Sequence, residues 1–320
     1  MEHIAQRVLQ GDARAVARLI SRLENDAPDA IPLLRAIFHA TGKAFVLGVT
    51  GAPGAGKSTL VDGLIRQARQ AGATVAVLAV DPSSPFTGGA ILGDRIRMQA
   101  HANDTGVFIR SMGARGQLGG LARATRKAIH VLDAAGYAMI IVETVGVGQS
   151  ELDIAAAADT TVVVVTPGMG DTVQTLKAGI LEIADVFALN KADQEGAAQT
   201  LRALRGMLHM GPASEWDVPV VETRAHEAAG LALLWETISR HRIYLEETGQ
   251  LADRRSVRLK GEVLDLVERG LRTNVLKTLA GSPQFDAVLR SVIARNCDPE
   301  TGACEILGGV DAKPERIGNG

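Results

Sequence analysis

Residues 46–64, VLGVTGAPGAGKSTLVDGL, constrain this chain more than any other stretch: an apolar run passes through a glycine-rich turn directly into a helix-forming segment. Gly51, Gly56, Lys57 and Ser58 satisfy G-x-x-x-x-G-K-[ST], with Ala52, Pro53, Gly54 and Ala55 in the turn and Thr59 just beyond it. Such a loop turns its backbone N–H groups onto a polyphosphate, while the lysine reaches the terminal phosphates and the hydroxyl takes a magnesium ion. Glycines permit that close wrap. The following helix adds the positive end of its dipole, so an anion is favoured before any side chain but Lys57 contributes.

From Phe45 to about Val221 the chain alternates short β-branched runs with amphipathic segments. The strand candidates are FVLGVT, TVAVLAV, VFIRS, MIIVE, TTVVVVT, VFALN and VPVVE. Alternation of this kind predicts an α/β fold, a mostly parallel sheet flanked by helices, with ligands beyond the carboxyl ends of the strands. Residues 1–43 read as an N-terminal helical extension, with Asp12 as an N-cap and a break between Pro28 and Pro32 before LLRAIFHA. The nucleotide-binding domain is expected over 44–248 and a helical region over 249–296, with 297–320 a poorly ordered tail.

The phosphate loop leaves the base undefined. Asn190, Lys191 and Asp193 supply N-K-x-D after the run VFAL. A carboxylate only accepts hydrogen bonds, so Asp193 matches guanine, which presents a ring N–H beside an exocyclic amine where adenine has no such pair. The plainer alternative is a polar turn capped by Asp193. Magnesium takes oxygen ligands and keeps several waters, so one or two carboxylates besides Ser58 suffice. Asp81 ends TVAVLAV and Glu143 ends MIIVE, opening an E-x-x-G; for Asp94, in LGDRIRM, position alone does not separate a metal role from a solvated loop acid.

Val147 follows Gly146 where many GTPases place a water-orienting glutamine, and Gln149 is displaced. Slow intrinsic hydrolysis, stimulated by a partner, is the expectation, with Lys57 and Glu143 as the catalytic candidates. Arginines 95, 97, 110, 115 and 123 are near in sequence, but none is singled out. A net charge of -2 leaves no nucleic-acid footprint, and the basic run DRRSVRLKGE reads as a solvated helix face. The seven histidines show no ligand spacing, and Cys297 and Cys304 fit neither a CxxC redox pair nor a zinc site. A charged N-terminus and the lack of a bilayer-length apolar run point to the cytoplasm, without membrane contact.

Taken together, GAPGAGKSTL, LAVDPSSPFTGGAILGDRIRM, ETVGVGQSE, PGMGDTVQTLKAG and NKAD resemble the MeaB/ArgK/MMAA family of P-loop GTPases, closely over about residues 35–250. The resemblance implies a GTP/GDP- and Mg2+-binding chaperone of an adenosylcobalamin-dependent acyl-CoA mutase, most often methylmalonyl-CoA mutase. It implies that Ser58, Asp81, Asp94 and Glu143 belong to the magnesium and switch regions. Asp171 and Lys177 would lie in a segment that communicates with the mutase, and the C-terminal helices would form a homodimerisation arm. It also places Arg224, Ala225 and His226 at the last guanine-contacting loop, where the family usually has a serine followed by a small residue. The rivals are an ATP-dependent kinase or transport-associated ATPase, against which N-K-A-D argues; a nickel-insertion GTPase, whose His/Cys sites are lacking; and a scaffold whose hydrolysis is incidental.

Overall fold

The computed structural model describes residues 2–81, 101, 103–113, 120–144, 155–168, 182–210 and 215–311. The chain forms two compact units, Met1–Arg254 and Arg255–Gly320. In the first, strands β1 (Phe45–Gly51), β2 (Val75–Asp81), β3 (Val107–Gly113), β4 (Met139–Thr144), β5 (Thr160–Val165), β6 (Val186–Asn190) and β7 (Val220–Thr223) fall on the seven expected runs. They form one sheet in the order β3-β2-β4-β1-β5-β6-β7. Every neighbouring pair is parallel.

Strands β1, β4, β5 and β6 are buried along their whole length, which is why they read as continuous apolar runs rather than alternating ones. Alternate side chains serve two cores. On one face Leu47, Val49, Ile141, Val162 and Val164 meet α4 (Lys57–Gln70) through Leu60, Val61, Leu64 and Ile65, joined by Leu234 and Ile238 of a later helix. Side chains of this size contribute roughly 1.5–3 kcal/mol each when fully buried. On the other face Val46, Leu78, Ile140 and Val142 pack with α1 (Glu2–Leu9), α2 (Ala13–Glu24), α3 (Ala30–Ile37) and α5 (Gly120–Ala134). Farther along, α6 (Ala197–Met210) sets Leu204 against Val163, Val165, Phe187 and Leu189. The N-terminal helices are therefore part of the first unit's core. Asp12 does cap α2, accepting from Ala15 N at 2.9 Å. Helix α3 begins at Ala30, ahead of Pro32, since a proline in a helix's first turn forfeits no intrahelical bond.

At the amino ends of the strands, carboxylates pin the backbone. Asp133 accepts from the amides of Gly42, Lys43 and Ala44, Asp159 from Val46 N and Asp185 from Thr161 N. Charge-assisted bonds of this sort fix where each strand starts. Gly51, Asp81, Glu143 and Asn190 lie at the opposite, carboxyl ends.

After β7, helix α7 (Leu231–Glu247) returns along the sheet and α8 (Gln250–Leu279) leads into the second unit with none of its residues buried. Val257, Leu264 and Leu271 recur at heptad spacing on α8, 71%, 52% and 62% exposed. Helix α9 (Pro283–Ile293) is capped by Ser282. The stretch expected to be a frayed tail carries α10 (Pro299–Asp311). Asp298 starts it, accepting from the amides of Glu300 and Thr301 and from the Thr301 hydroxyl, and these bonds hold its carboxyl below the usual carboxylate range. Gly302 lets α10 approach α9: a Cβ there would come within 2.9 Å of Val292. No helix among the described residues is long and apolar enough to cross a membrane.

Candidate functional site

The turn between β1 and α4 is glycine-dependent at both ends. Gly51 has φ +137° and a Cβ there would lie 2.1 Å from the Val164 carbonyl oxygen. Gly56 has φ +86°, and its Cβ would meet the Asn190 side-chain nitrogen at 2.4 Å. Any other residue would push the loop off β5 at one end and off Asn190 at the other. No side chain caps the start of α4, so its first-turn amides and dipole are left to an external acceptor. Lys57 is buried, and its Nζ donates to the carbonyls of Gly51 (2.6 Å) and Ala52 (3.0 Å), lying across the loop. Pro53 and Gly54 are exposed at the tip, Ala55 is buried beneath it, and Thr59 faces out from the first turn of α4.

Beside this loop, Ser58 Oγ donates to Glu143 Oε1 at 2.6 Å. The register that pairs Val49 with Glu143 brings the end of β4 alongside the end of β1, and Glu143 is only 1% exposed. A threonine pair reinforces that alignment: Thr50 and Thr144, both fully buried, stand 3.1 Å apart through their hydroxyl oxygens. A hydroxyl and a buried carboxylate at the head of a phosphate-loop helix are hard oxygen donors, a set that fits magnesium. Asp81 ends β2, the strand next to β4, opposite Gly113. Asp94 lies outside the described residues, as do Asp171, Lys177 and the segment carrying Gly146, Val147 and Gln149.

On the loop's other side, β6 delivers N-K-A-D. Asn190 is 3% exposed, and its Nδ2 donates to Ala55 O at 2.8 Å. Its Oδ1 accepts from Thr223 Oγ1 and from Ala225 N. One amide thus ties the phosphate loop to the segment after β7. Lys191, in the left-handed region at φ +57°, donates to Gly54 O at 2.9 Å. Asp193 is exposed and no protein group among the described residues donates to its carboxylate, so both oxygens can take an incoming donor pair.

Arg224 turns from this cleft to pair with Glu227 at 2.7 Å, and His226 Nε2 lies 3.4 Å from the same carboxylate. Ala225 is buried, with its N–H committed to Asn190. The unusual Arg224 side chain therefore leaves the loop's backbone where Asn190 holds it. Sequence reasoning missed Thr50, Thr144, Thr223 and Glu227. The first three have no motif of their own and matter only through register; Glu227 lies three residues from Arg224, a spacing that signals an ion pair.

The family description "Methylmalonyl Co-A mutase-associated GTPase MeaB" matches residues 13–280. A protein of Pyrococcus abyssi named as a GTPase is 49% identical over 311 residues, 96% of each chain. The mouse mitochondrial methylmalonic aciduria type A homolog is 33% identical over 277 residues, 82% of this chain and 65% of that one. A crystal structure described as a LAO/AO transport system kinase shares 27% identity and a TM-score of 0.74, covering 97% of each chain. With its phosphate loop, its N-K-A-D turn and a family match running from α2 to the end of α8, the chain belongs to the MeaB family of methylmalonyl-CoA-mutase-associated GTPases.

Proposed function

We propose that this protein binds GTP with Mg2+ in the cleft between Gly51–Thr59 and Asp193, hydrolyses it to GDP, and uses the cycle to gate cofactor loading and exchange on an adenosylcobalamin-dependent acyl-CoA mutase. The bridge through Asn190 carries the reading, because one buried amide holds the phosphate loop and the β7 loop to one side chain next to Asp193. The loop amides and Lys57 bind the phosphates, Lys57 exchanging its two carbonyl partners for phosphate oxygens. Ser58 and Glu143, with Asp81 and Asp94, would hold the metal ion. Magnesium, when bound, neutralises charge on the transferring phosphoryl group. Asp193 reads the guanine edge, Lys191 and Asn190 brace it, and the backbone of Arg224, Ala225 and His226 closes the cleft.

The mutase, most simply methylmalonyl-CoA mutase, is supported by the family's description. The apolar heptad stripe of α8 supports a homodimer built through the C-terminal helices. The setting proposed is the cytoplasm, with neither nucleic acid nor membrane as partner. Intrinsic turnover is slow and rises when the mutase binds.

The decisive measurement is nucleotide affinity of the wild type and Asp193→Asn for GTP, ATP and XTP. Two charge-assisted bonds are at stake, so Asp193→Asn loses about 10- to 100-fold for GTP. Xanthine carries a carbonyl in place of the guanine amine, so the same variant gains affinity for XTP. A wild-type preference for ATP, or an unchanged GTP affinity in the variant, refutes guanine recognition. Capture of recombinant mutases in the GDP state and with a non-hydrolysable GTP analogue tests the partner; equal absence of capture in both states refutes it.

A further inference from the structure

Ser111, near the carboxyl end of β3, has its Oγ shut off from solvent with no hydrogen-bond partner among the described residues. Buried hydroxyls are nearly always satisfied, and an orphan destabilises the fold by the desolvation of a group that recovers nothing. Stability alone would favour alanine there.

Its place in the sheet gives the hydroxyl a use. Ser111 stands opposite Ala79 of β2, and Ala79 stands opposite Glu143 of β4. The three form one row across the pleat and share one face. That face is the one covered by α4, since Val107 and Ile109 of β3 pack in the α4 core and Glu143 holds Ser58 of α4. Its neighbour Arg110 points the other way, to Ala17 O, Ser21 and Glu24 of α2, so it cannot serve Ser111. Between Ser111 and Glu143 the row holds only the methyl group of Ala79. Two strand spacings separate them, about 10 Å between Cα atoms, a gap that a glutamate side chain, one or two waters and a serine hydroxyl span.

We propose that Ser111 is a positioning residue of the magnesium pocket, its hydroxyl holding a water of the ion's outer hydration shell. The proposal rests on the GTP and Mg2+ reading above. It assigns the unsatisfied hydroxyl to the group of ligands around a metal, where outer partners set how tightly the ion is held.

The test uses full-length wild type, Ser111→Ala and Ser111→Thr, with tryptophan-monitored melting of nucleotide-free protein and binding of a fluorescent GDP analogue, in EDTA and across a magnesium titration. Ser111→Ala is expected to melt about 2 to 4 °C higher, because it removes the orphan. Its GDP affinity in EDTA stays at the wild-type value, while the magnesium concentration for half-maximal nucleotide retention rises about tenfold. Ser111→Thr, which keeps a hydroxyl, restores the midpoint. An unchanged midpoint in Ser111→Ala overturns the proposal, as does a variant that melts lower and loses GDP affinity equally with and without magnesium. If the wild type itself shows no magnesium-dependent retention, the underlying metal reading fails; if it does and Ser111→Ala matches it, only the role of Ser111 fails.

Discussion

Asn190→Asp changes one atom at the centre of the site and nearly nothing in shape. The Nδ2 that donates to Ala55 O at 2.8 Å becomes an oxygen, while the other oxygen still accepts from Thr223 Oγ1 and Ala225 N. Two acceptors then face each other in a position only 3% exposed. The protein can leave them so, losing a hydrogen bond and stranding a buried carbonyl, at about 2 to 4 kcal/mol. Alternatively it protonates the carboxyl to regain a donor. For a group with an ordinary pKa near 3.9 that costs about 5 kcal/mol at pH 7.5 but only about 1.5 kcal/mol at pH 5. The cheaper route sets the loss, so Asn190→Asp costs about 2 to 4 kcal/mol at pH 7.5 and roughly half that at pH 5. The sign follows from proton binding. The folded variant holds the proton more tightly than the unfolded chain, so its stability falls as pH rises from about 4 through its raised folded pKa. The chain's two tryptophans, Trp216 and Trp235, both lie in the first unit, so urea melts followed by fluorescence report the unit that contains the site. Taking the difference from wild type at each pH cancels every other titration. Asn190→Ala, which has no proton to take up, should show a comparable loss at all pH values. A loss in Asn190→Asp that stays constant between pH 5 and 7.5, or one below about 0.5 kcal/mol, would refute the view that this amide bridges two loops through a buried donor.

Two further changes probe other parts of the unit. Glu143→Gln keeps an acceptor for Ser58 but removes a buried charge, so nucleotide-free protein should melt at or above the wild-type temperature, while magnesium-dependent GTP turnover falls at least about 100-fold; retained turnover at saturating magnesium would remove Glu143 from the metal site. His241 on α7 is fully buried, bonded through Nδ1 to Thr160 with Nε2 3.4 Å from Asp185. Burial, only partly opposed by Asp185 and assisted by Arg254, lowers its pKa from 6.5 to about 4. The neutral ring is thus the folded form, and the unfolded chain binds the extra proton between those values. Stability is full above about pH 6.5 and declines towards pH 4, by up to about 3 kcal/mol. Melts of His241→Gln should show a flatter slope across that window, and an unaltered slope would exclude His241 as its source.

How much of this was legible depended on whether the signal was local. The strands were, because a sheet covered on both faces demands the apolar runs that β1, β4, β5 and β6 carry. So were the phosphate loop and the N-K-A-D turn, whose backbone demands are written in adjacent residues. Helix α10 had a local signal that was overlooked: Asp298, Pro299 and Glu300 are a cap, a first-turn proline and a first-turn acid. The bonds that assemble the site were not legible. Ser58 and Glu143 are 85 residues apart, Asn190 and Ala55 135, and only the register of β4, β1, β5 and β6 brings them together.

That register has a mechanical consequence. The phosphate loop leaves β1, the middle strand of the seven, and is gripped from both flanks: by Glu143, on β4, through Ser58, and by Asn190, on β6, through Ala55. Each flank touches the loop through a bond of its own. Val164 of β5 leaves no room for the loop to shift towards it, since even a methyl group on Gly51 would meet its carbonyl at 2.1 Å. A displacement of the loop by phosphate therefore has to be passed to Glu143 at the head of one segment and to the Ala225 turn at the other. Packed interiors hold discrete arrangements rather than deforming smoothly. In the proposed GTP cycle, occupancy at the phosphates would therefore reach both outer segments through the loop, the property a nucleotide switch needs if a partner is to sense which phosphate is present.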